Sequence, residues 1–221
     1  MATHRAVFSE LKRLSVNTRV LDAGCGTGGL LEFLRKSFNV AGFDDSFEAV
    51  RKAFERNGSY ESLAVGDVES IPFHNNRFNA VTCIDVIYHA NVADERVALN
   101  EMNRVLKPGG YLILQVPAFE CLRGGHDEAV HTRKRYRARE IRSLLIETGF
   151  KVTRIRYRYP WLFLLALIIR KVTRGSGRSD LRPVNPVLNA LLSYVSRFSD
   201  SSIFPRLPFG TSVFAVGQKI S

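Results

Sequence analysis

A chain of 221 residues with 45% hydrophobic side chains has room for one α/β-sized domain with an added lobe, which argues against two independent domains. Its three cysteines, Cys25, Cys83 and Cys121, form no C-x-x-C pair. The start lacks the charged and apolar stretches of a secretory signal, so a reduced, cytosolic protein without a structural metal is expected. The net charge of +11 is uneven, with 11 Lys and Arg against 13 Asp and Glu in residues 1–100 and 21 against 8 in residues 101–221. The second half is expected to meet something anionic, be it nucleic acid, lipid head groups or an acidic substrate, or else to be a solvated face.

RVLDAG (19–24) is an apolar run ending in glycine, and GLLEFLRKSF (29–38) follows with Leu30, Leu31, Phe33 and Leu34 at helical spacing. The stretch predicts strand, turn and helix. NVAGFD (39–44) predicts a second strand, after which Ser46 is placed to cap a helix that ends at Gly58. Strands are expected again at SLAVGD (62–67) and FNAVTCID (78–85), and a helix at 92–106 from the spacing of Val97, Leu99, Met102 and Leu106. A turn through Pro108, Gly109 and Gly110 then leads into a fifth strand within 107–118. Beyond Pro117 a polar loop precedes a helix at 139–150 and an alternating strand at 151–159. An atypical insert of about fifty residues follows. It holds the apolar run WLFLLALII (161–169), a polar linker (172–183) and a helix at 187–198. The chain closes on a strand at 211–219, suited to pair with 151–159. Strands alternating with helices give an α/β class and a mostly parallel sheet covered on both faces.

DAGCGTGG (22–29) fits G-x-G-x-x-G through Gly24, Gly26 and Gly29. The pattern is weak alone, because any tight strand-to-helix turn asks for glycine on steric grounds. Its neighbours decide the ligand. Asp22, two residues before the first glycine, would repel the pyrophosphate of a dinucleotide but welcome S-adenosylmethionine, which carries an ammonium and a sulfonium. Asp44 and Asp67 end the second and third strands, where ligands of open α/β sheets bind. Asp44 has the reach to accept from both ribose hydroxyls, and Asp67 can accept from an adenine amino group beside the Val68 amide. Any one of these acids reads singly as a helix cap or loop carboxylate. Three in successive turns of one pattern read as a cofactor site.

VLDAGCGTGG (20–29), GFDDS (42–46), GDVESIPFHNNRFNAV (66–81), DVIYH (85–89) and EMNRVLKPGGYLIL (101–114) follow one another in an order that resembles the class I S-adenosylmethionine-dependent methyltransferases. The likeness is to the type 11-like group with ubiquinone-biosynthesis and small-molecule enzymes, and covers residues 17–155 and 211–219. It implies a Rossmann-like sheet of seven strands, the last antiparallel, in a single methyltransferase domain over 1–221. An apolar and basic helical insert or cap at about 159–210 would split the last hairpin. The resemblance puts Asp22, Gly24 and Gly26 at the methionine end of the cofactor, Asp44 at the ribose, Asp67 and Val68 at the adenine, and Ile84 or Asp85 beneath. Ala23, Cys25, Asp45 and Ser46 complete the implied cofactor-binding set. Asn79 departs from the family's F-D-x-V pattern at a position that supports structure.

Methyl transfer from a sulfonium is an in-line displacement, so the protein must position the acceptor and, for an oxygen or acidic carbon, remove a proton. The candidate catalytic residues are His126 and His131 in GGHDEAVHTRKRYR (124–137), where Asp127, Glu128 and Tyr136 also lie, and His89 after the fourth strand. A histidine oriented by a carboxylate can serve as base; the plain alternative is a turn residue facing water. Cys25 and Cys83 read as packing residues. TRKRYRAR (132–139) interleaves Tyr136 with arginines as a nucleic-acid surface would. CIDVIYH (83–89), however, lacks the Asn/Asp-Pro-Pro-aromatic segment of enzymes that methylate exocyclic base amines. The preferred acceptor is therefore a small or lipid-like molecule, ahead of RNA or another nucleic acid and of a non-catalytic S-adenosylmethionine-binding regulator. The nine residues of WLFLLALII fall short of the about 20 that span a bilayer. Arg154, Arg156 and Arg158 precede them, Arg170, Lys171 and Arg174 follow, and Tyr157, Tyr159 and Trp161 stand at one border. The segment predicts either a buried helix or, through residues 154–174, peripheral contact with anionic lipid at the inner membrane face.

Overall fold

The computed structural model describes residues 2–13, 19–58, 63–173 and 207–220. Among them, seven strands form one sheet: β1 (Arg19–Ala23), β2 (Asn39–Asp44), β3 (Leu63–Val65), β4 (Phe78–Ile84), β5 (Leu106–Pro117), β6 (Phe150–Arg158) and β7 (Ser212–Lys219). The spatial order is β3-β2-β1-β4-β5-β7-β6. The pairs from β3 across to β5 are parallel, and β7 runs antiparallel to both β5 and β6. This is the mostly parallel α/β sheet with an antiparallel last strand that the sequence led us to expect.

The helices are α1 (Ala2–Leu11), α2 (Gly29–Leu34), α3 (Phe47–Asn57), α4 (Glu95–Val105), α5 (Gly125–Ala129), α6 (Ala138–Glu147) and α7 (Pro160–Thr173). Alternation along the central strands sends successive side chains to opposite faces. Leu21, Val81, Cys83, Leu112 and Leu114 join Leu99 and Met102 of α4 and Leu144 and Leu145 of α6 in one core cluster. Val20, Ala80 and Ile113 join Leu30 and Leu34 of α2 and Ala6, Val7 and Leu11 of α1 in the other. The sequence reading assigned no element before residue 19. The single apolar face of α1 closes the second core layer.

Local chemistry explains most element ends. Ser46 Oγ accepts from Ala49 N at 3.3 Å and Gly58 ends α3 at φ 71, as the sequence predicted. Asp94 caps α4 through Arg96 N at 2.8 Å. Arg104 donates to the carbonyls of Ile71 and Phe73, and Glu101 accepts from Ile71 N, so the EMNR stretch of α4 anchors the loop ahead of β4. Asn79 Oδ1 accepts from Arg19 N at 3.1 Å and ties β4 to the start of β1.

Two boundaries differ from expectation. The Pro-Gly-Gly turn lies inside β5, where the register with β4 shifts between Phe78 and Ala80. Gly109 has a φ of 72, and a Cβ on Gly110 would come within 2.8 Å of Lys107 O; two glycines thus let the strand absorb a bulge. Strand β6 begins at Phe150, the expected last residue of the preceding helix, because Gly149 at φ 82 ends that helix. Of the insert, α7 and residues 207–210 are described; the helix expected at 187–198 and most of the linker at 172–183 lie outside the described residues.

Candidate active site

Beyond Ala23 the backbone turns into α2 through Gly24, Gly26 and Gly28, at φ 75, 51 and 77. A Cβ on Gly24 would stand 2.4 Å from Val86 Cγ2, so the left-handed turn and the approach of the loop after β4 both require glycine there. The amides of Gly24 and Cys25 donate to Phe43 O, each at 2.9 Å. Gly26 N donates to Asp44 Oδ2 at 2.8 Å and Ser46 N to Oδ1 at 3.1 Å. Asp44 therefore fastens the glycine loop to the end of β2, while each oxygen keeps a lone pair for a further donor.

Asp22 is buried at 3% exposure, and Thr82 Oγ1 donates to its Oδ1 at 2.7 Å. Burial pushes this carboxyl up to about 7, against the pull of the Thr82 bond and with a smaller push from the Asp44 charge. Asp67 Oδ1 accepts from Glu69 N at 2.8 Å, and Val68 beside it is buried. Asp85 stands at φ 58, and its Oδ2 accepts from Gln115 Nε2 at 3.0 Å.

A cavity of about 850 Å³ opens at these strand ends. Its wall includes Gly24, Gly26, Asp44, Asp45, Asp67, Val68, Asp85, His89 and His131 of the sequence-predicted residues. Asp22, Ala23 and Cys25 are buried, Ser46 caps α3, and Ile84 packs against the core that α1 covers. Burial pushes the Cys25 thiol up to about 12, with Asp22 and Asp44 adding to it, which leaves it inert at neutral pH. The sequence reading did not single out Phe43, Gly66, Val86, Asn91, Val92 or Val130 as wall residues. Phe43 and Gly66 each precede a named acid at a strand end. Nothing in residue periodicity gives the path of the loops that bring the others.

The loops after β4 and β5 are stitched together over this end of the sheet. Ala90 N donates to His131 O at 2.9 Å and Arg133 N to Tyr88 O at 2.8 Å. His89 lies with Nδ1 2.9 Å from Val130 O and Nε2 3.1 Å from Asp85 O, so both ring nitrogens face backbone acceptors, and a neutral imidazole can donate to one of them. Its ring stacks on Tyr88 at 4.3 Å. His131 is exposed at the rim with φ 52. His126 falls in α5, and its side chain lies outside what the structure describes.

Its neighbours in this loop are structural. Asp127 is buried at 2% exposure and accepts from Arg135 Nε at 2.8 Å and Gly124 N at 2.8 Å. Burial works against its charge, yet the Arg135 and Gly124 bonds outweigh it and hold the carboxyl below its ordinary value. Tyr136 is fully buried, which pushes its hydroxyl up to about 12.

Several basic residues of the second half are tied back onto the protein by hydrogen bonds and ion pairs. Arg123 donates to Thr132 O and Arg133 O, Arg133 to Ala93 O and Glu95, and Arg135 to Ala118 O and Asp127. Lys134 lies within ion-pair reach of Glu95 and Glu140. On β6, Arg154 pairs with Glu10 of α1 at 2.5 Å, and Arg158 is buried and donates to Gln115 Oε1 at 2.7 Å. Among the described residues, four of the five non-glycine residues with left-handed φ, Asp85, Phe119, His131 and Tyr159, follow the C-terminal ends of β4, β5 and β6. Such conformations gather where surrounding structure over-determines a site.

Residues 21–114 match the methyltransferase domain family. The demethylmenaquinone methyltransferase of Staphylococcus aureus strain JH9 is 39% identical over 102 residues, which are 43% of this chain and 42% of that protein. The match thus spans less than half the length of either. Haemonchus contortus phosphoethanolamine N-methyltransferase 2, solved with S-adenosyl-L-methionine, superposes with a TM-score of 0.65 at 20% identity, covering 99% of this chain and 52% of that one. The YcgJ protein from Bacillus subtilis gives 0.62 at 18% identity and 99% coverage of both chains. The fold is the class I methyltransferase fold that the sequence motifs resembled.

Proposed function

We propose, from the methyltransferase domain matched at residues 21–114, that the chain transfers a methyl group from S-adenosylmethionine to a small-molecule or lipid-like acceptor. The observation that carries this reading is the gathering of Asp44, Asp67 and Asp85 with Gly24 and Gly26 around one cavity, with Asp22 buried beside the loop. The residues present suit that cofactor. Asp22, whose ionisation burial opposes, gains from a cationic group brought close to it. Asp44 would accept from ribose hydroxyls while keeping its two backbone bonds, and Asp67 and Val68 would meet the adenine. S-adenosylmethionine, when bound, supplies the electrophilic methyl group. The chain's part is to orient the acceptor against it and, where needed, to take a proton, for which His131 at the rim and His126 in α5 are the candidate bases. His89, both nitrogens against carbonyls, serves better to hold the wall.

Two observations support the acceptor class. Phe119 stacks on Tyr157 at 4.9 Å and meets Phe163 edge-on at 5.2 Å, and Phe163 in turn lies 5.3 Å from Phe209. This places an aromatic cluster at the ends of β5 and β6, beside α7. The curated relative is also named for demethylmenaquinone and the structural neighbour for phosphoethanolamine, small molecules both. Arg133, Lys134 and Arg135 are each within ion-pair reach of a carboxylate, which weakens the RNA reading of residues 132–139, because phosphate binding draws on cations that are not already neutralised; Arg137 and Arg139 stand exposed. No described helix is long and apolar enough to cross a membrane.

Calorimetry with S-adenosylmethionine, S-adenosylhomocysteine and NAD tests the cofactor, with binding expected for the first two. Incubation with methyl-labelled S-adenosylmethionine and cell extract is expected to put label in the organic-soluble or small-molecule fraction. Label in nuclease-sensitive polymer would favour a nucleic-acid acceptor, and binding without label in any fraction a regulator.

A further inference from the structure

Three polar side chains from neighbouring regions of the sheet form one hydrogen-bonded chain that ends at the cavity. Arg158, the last residue of β6, is 1% exposed and donates through Nη1 to Gln115 Oε1 at 2.7 Å. Gln115 on β5 donates through Nε2 to Asp85 Oδ2 at 3.0 Å, and Asp85 is part of the cavity wall. A guanidinium has donors only, so it decides which way the Gln115 amide faces. With its oxygen drawn to Arg158, its nitrogen must point at Asp85; the flipped amide would set donor against donor and oxygen against carboxylate. The backbone holds the same residues in place. Asp85 N donates to Gln115 O at 3.0 Å, and the left-handed φ of 58 aims the side chain in a way that non-glycine residues rarely adopt. At the other end Arg158 Nη1 also reaches Thr3 Oγ1 at 3.2 Å, and the guanidinium lies 4.6 Å from the ring centroid of Tyr159.

We propose that Arg158 and Gln115 are positioning residues: through the oriented amide, a buried cation fixes the Asp85 carboxyl in the cavity wall and opposes the burial that disfavours its charge, readying it for a cationic ligand group. The inference rests on the methyltransferase reading for the ligand, whose ammonium and sulfonium are such groups, while the relay itself does not depend on it. Burial holds the Asp85 carboxyl above its ordinary value, and the Gln115 bond and the Arg158 charge draw it only part of the way back. The other titratable groups that feel Asp85 are Tyr88 and Cys83, both themselves shifted upward, chiefly by burial.

Carboxyl-carbon magnetic resonance of the full chain reads Asp85 directly, with its signal assigned by loss in Asp85→Asn. In the unmodified protein the side-chain nitrogens of Gln115 and Arg158 are expected to shift with the Asp85 midpoint. A flat response of both overturns the relay without requiring any variant to fold. Gln115→Met and Arg158→Met are expected to raise the midpoint by about one pH unit or more, and Arg158→Lys to restore most of it; an unmoved midpoint in a folded variant overturns the proposal. Saturating S-adenosylmethionine is expected to lower the midpoint. Bound ligand with an unmoved midpoint would overturn the cation-site role. Failure of the ligand to bind at all would sink the methyltransferase reading while the ligand-free titrations still decide the relay.

Discussion

Residues 1–100 place Asp44, Asp67 and Asp85 at successive strand ends around one cavity, with Asp22 buried beside them. Many of the surplus arginines of residues 101–221 are instead turned back onto the protein, with Arg123, Arg133 and Arg135 holding a loop and Arg154 and Arg158 tied to α1 and β5. Asp22, Asp44 and Asp85, whose ionisation burial opposes, are costly to the empty fold and suited to a cationic ligand; the arginines are integral to the fold. Segment charge therefore predicts a partner poorly. An irregular loop leaves carbonyls unpaired, and arginine, with five donors on a planar fork, satisfies several at once.

The largest effect that could break this contrast lies in the loop after β5. Asp127→Ala strands Arg135, whose side chain is 12% exposed against 2% for Asp127. Removing one partner of a buried pair is expected to cost about 3–5 kcal/mol of unfolding free energy. Arg139→Ala, at an exposed site, is expected to stay within about 0.5 kcal/mol. Equal, small effects by denaturant titration would return these arginines to the surface reading.

Asp22→Asn should do the opposite. The carboxyl titrates near 3.8 in the unfolded chain and near 7 in the folded one. Between these values the native state keeps a proton that the unfolded state has lost, so ligand-free stability from this group falls as pH rises through that window. The amide removes the slope and should raise the thermal midpoint at pH 7, while S-adenosylmethionine binding drops about 100-fold, or about 2.7 kcal/mol. Unchanged binding would detach Asp22 from the ligand. Asp44→Ala comes next, with binding expected to weaken by about 1.5–3 kcal/mol, partly because Gly26 N loses its acceptor. Calorimetry on the folded variant reads this loss directly.

The acids were legible because strand ends are set by periodicity, and a parallel sheet collects ligands at its C-terminal edge. Arg158 was not. Arg154, Arg156 and Arg158 beside an apolar run read as a basic flank for anionic lipid until α1 is known to meet Arg154 and Arg158. Asp127 looked like a loop acid beside two histidines, since sequence gives neither the path of the chain nor the guanidinium waiting above. The left-handed backbone at Asp85 had no glycine to announce it.

The smallest expected effect concerns the exposed face of α7, where two adjacent leucines of the second half meet solvent. Leu164 and Leu165 are 51% and 37% exposed, whereas Phe163 on the same helix packs against Phe119 and Phe209. Leu164→Ser with Leu165→Ser is expected to change stability by no more than about 0.5 kcal/mol per site, and Phe163→Ser by about 3 kcal/mol or more, as for truncation of a packed aromatic. If the exposed face meets a membrane, the preceding basic flank adds little to the contact, because Arg154 and Arg158 are engaged within the protein and Arg156 lies over the Phe214 ring. Retention on anionic phospholipid vesicles is thus expected to be weak, to fall further in the double serine variant, and to change little between low and high salt. A steep salt dependence would mean that other basic residues carry the contact, since only exposed charge is strongly screened. Retention unaffected by the serines would remove α7 from the interface and leave its leucines as cover for the aromatic cluster beneath.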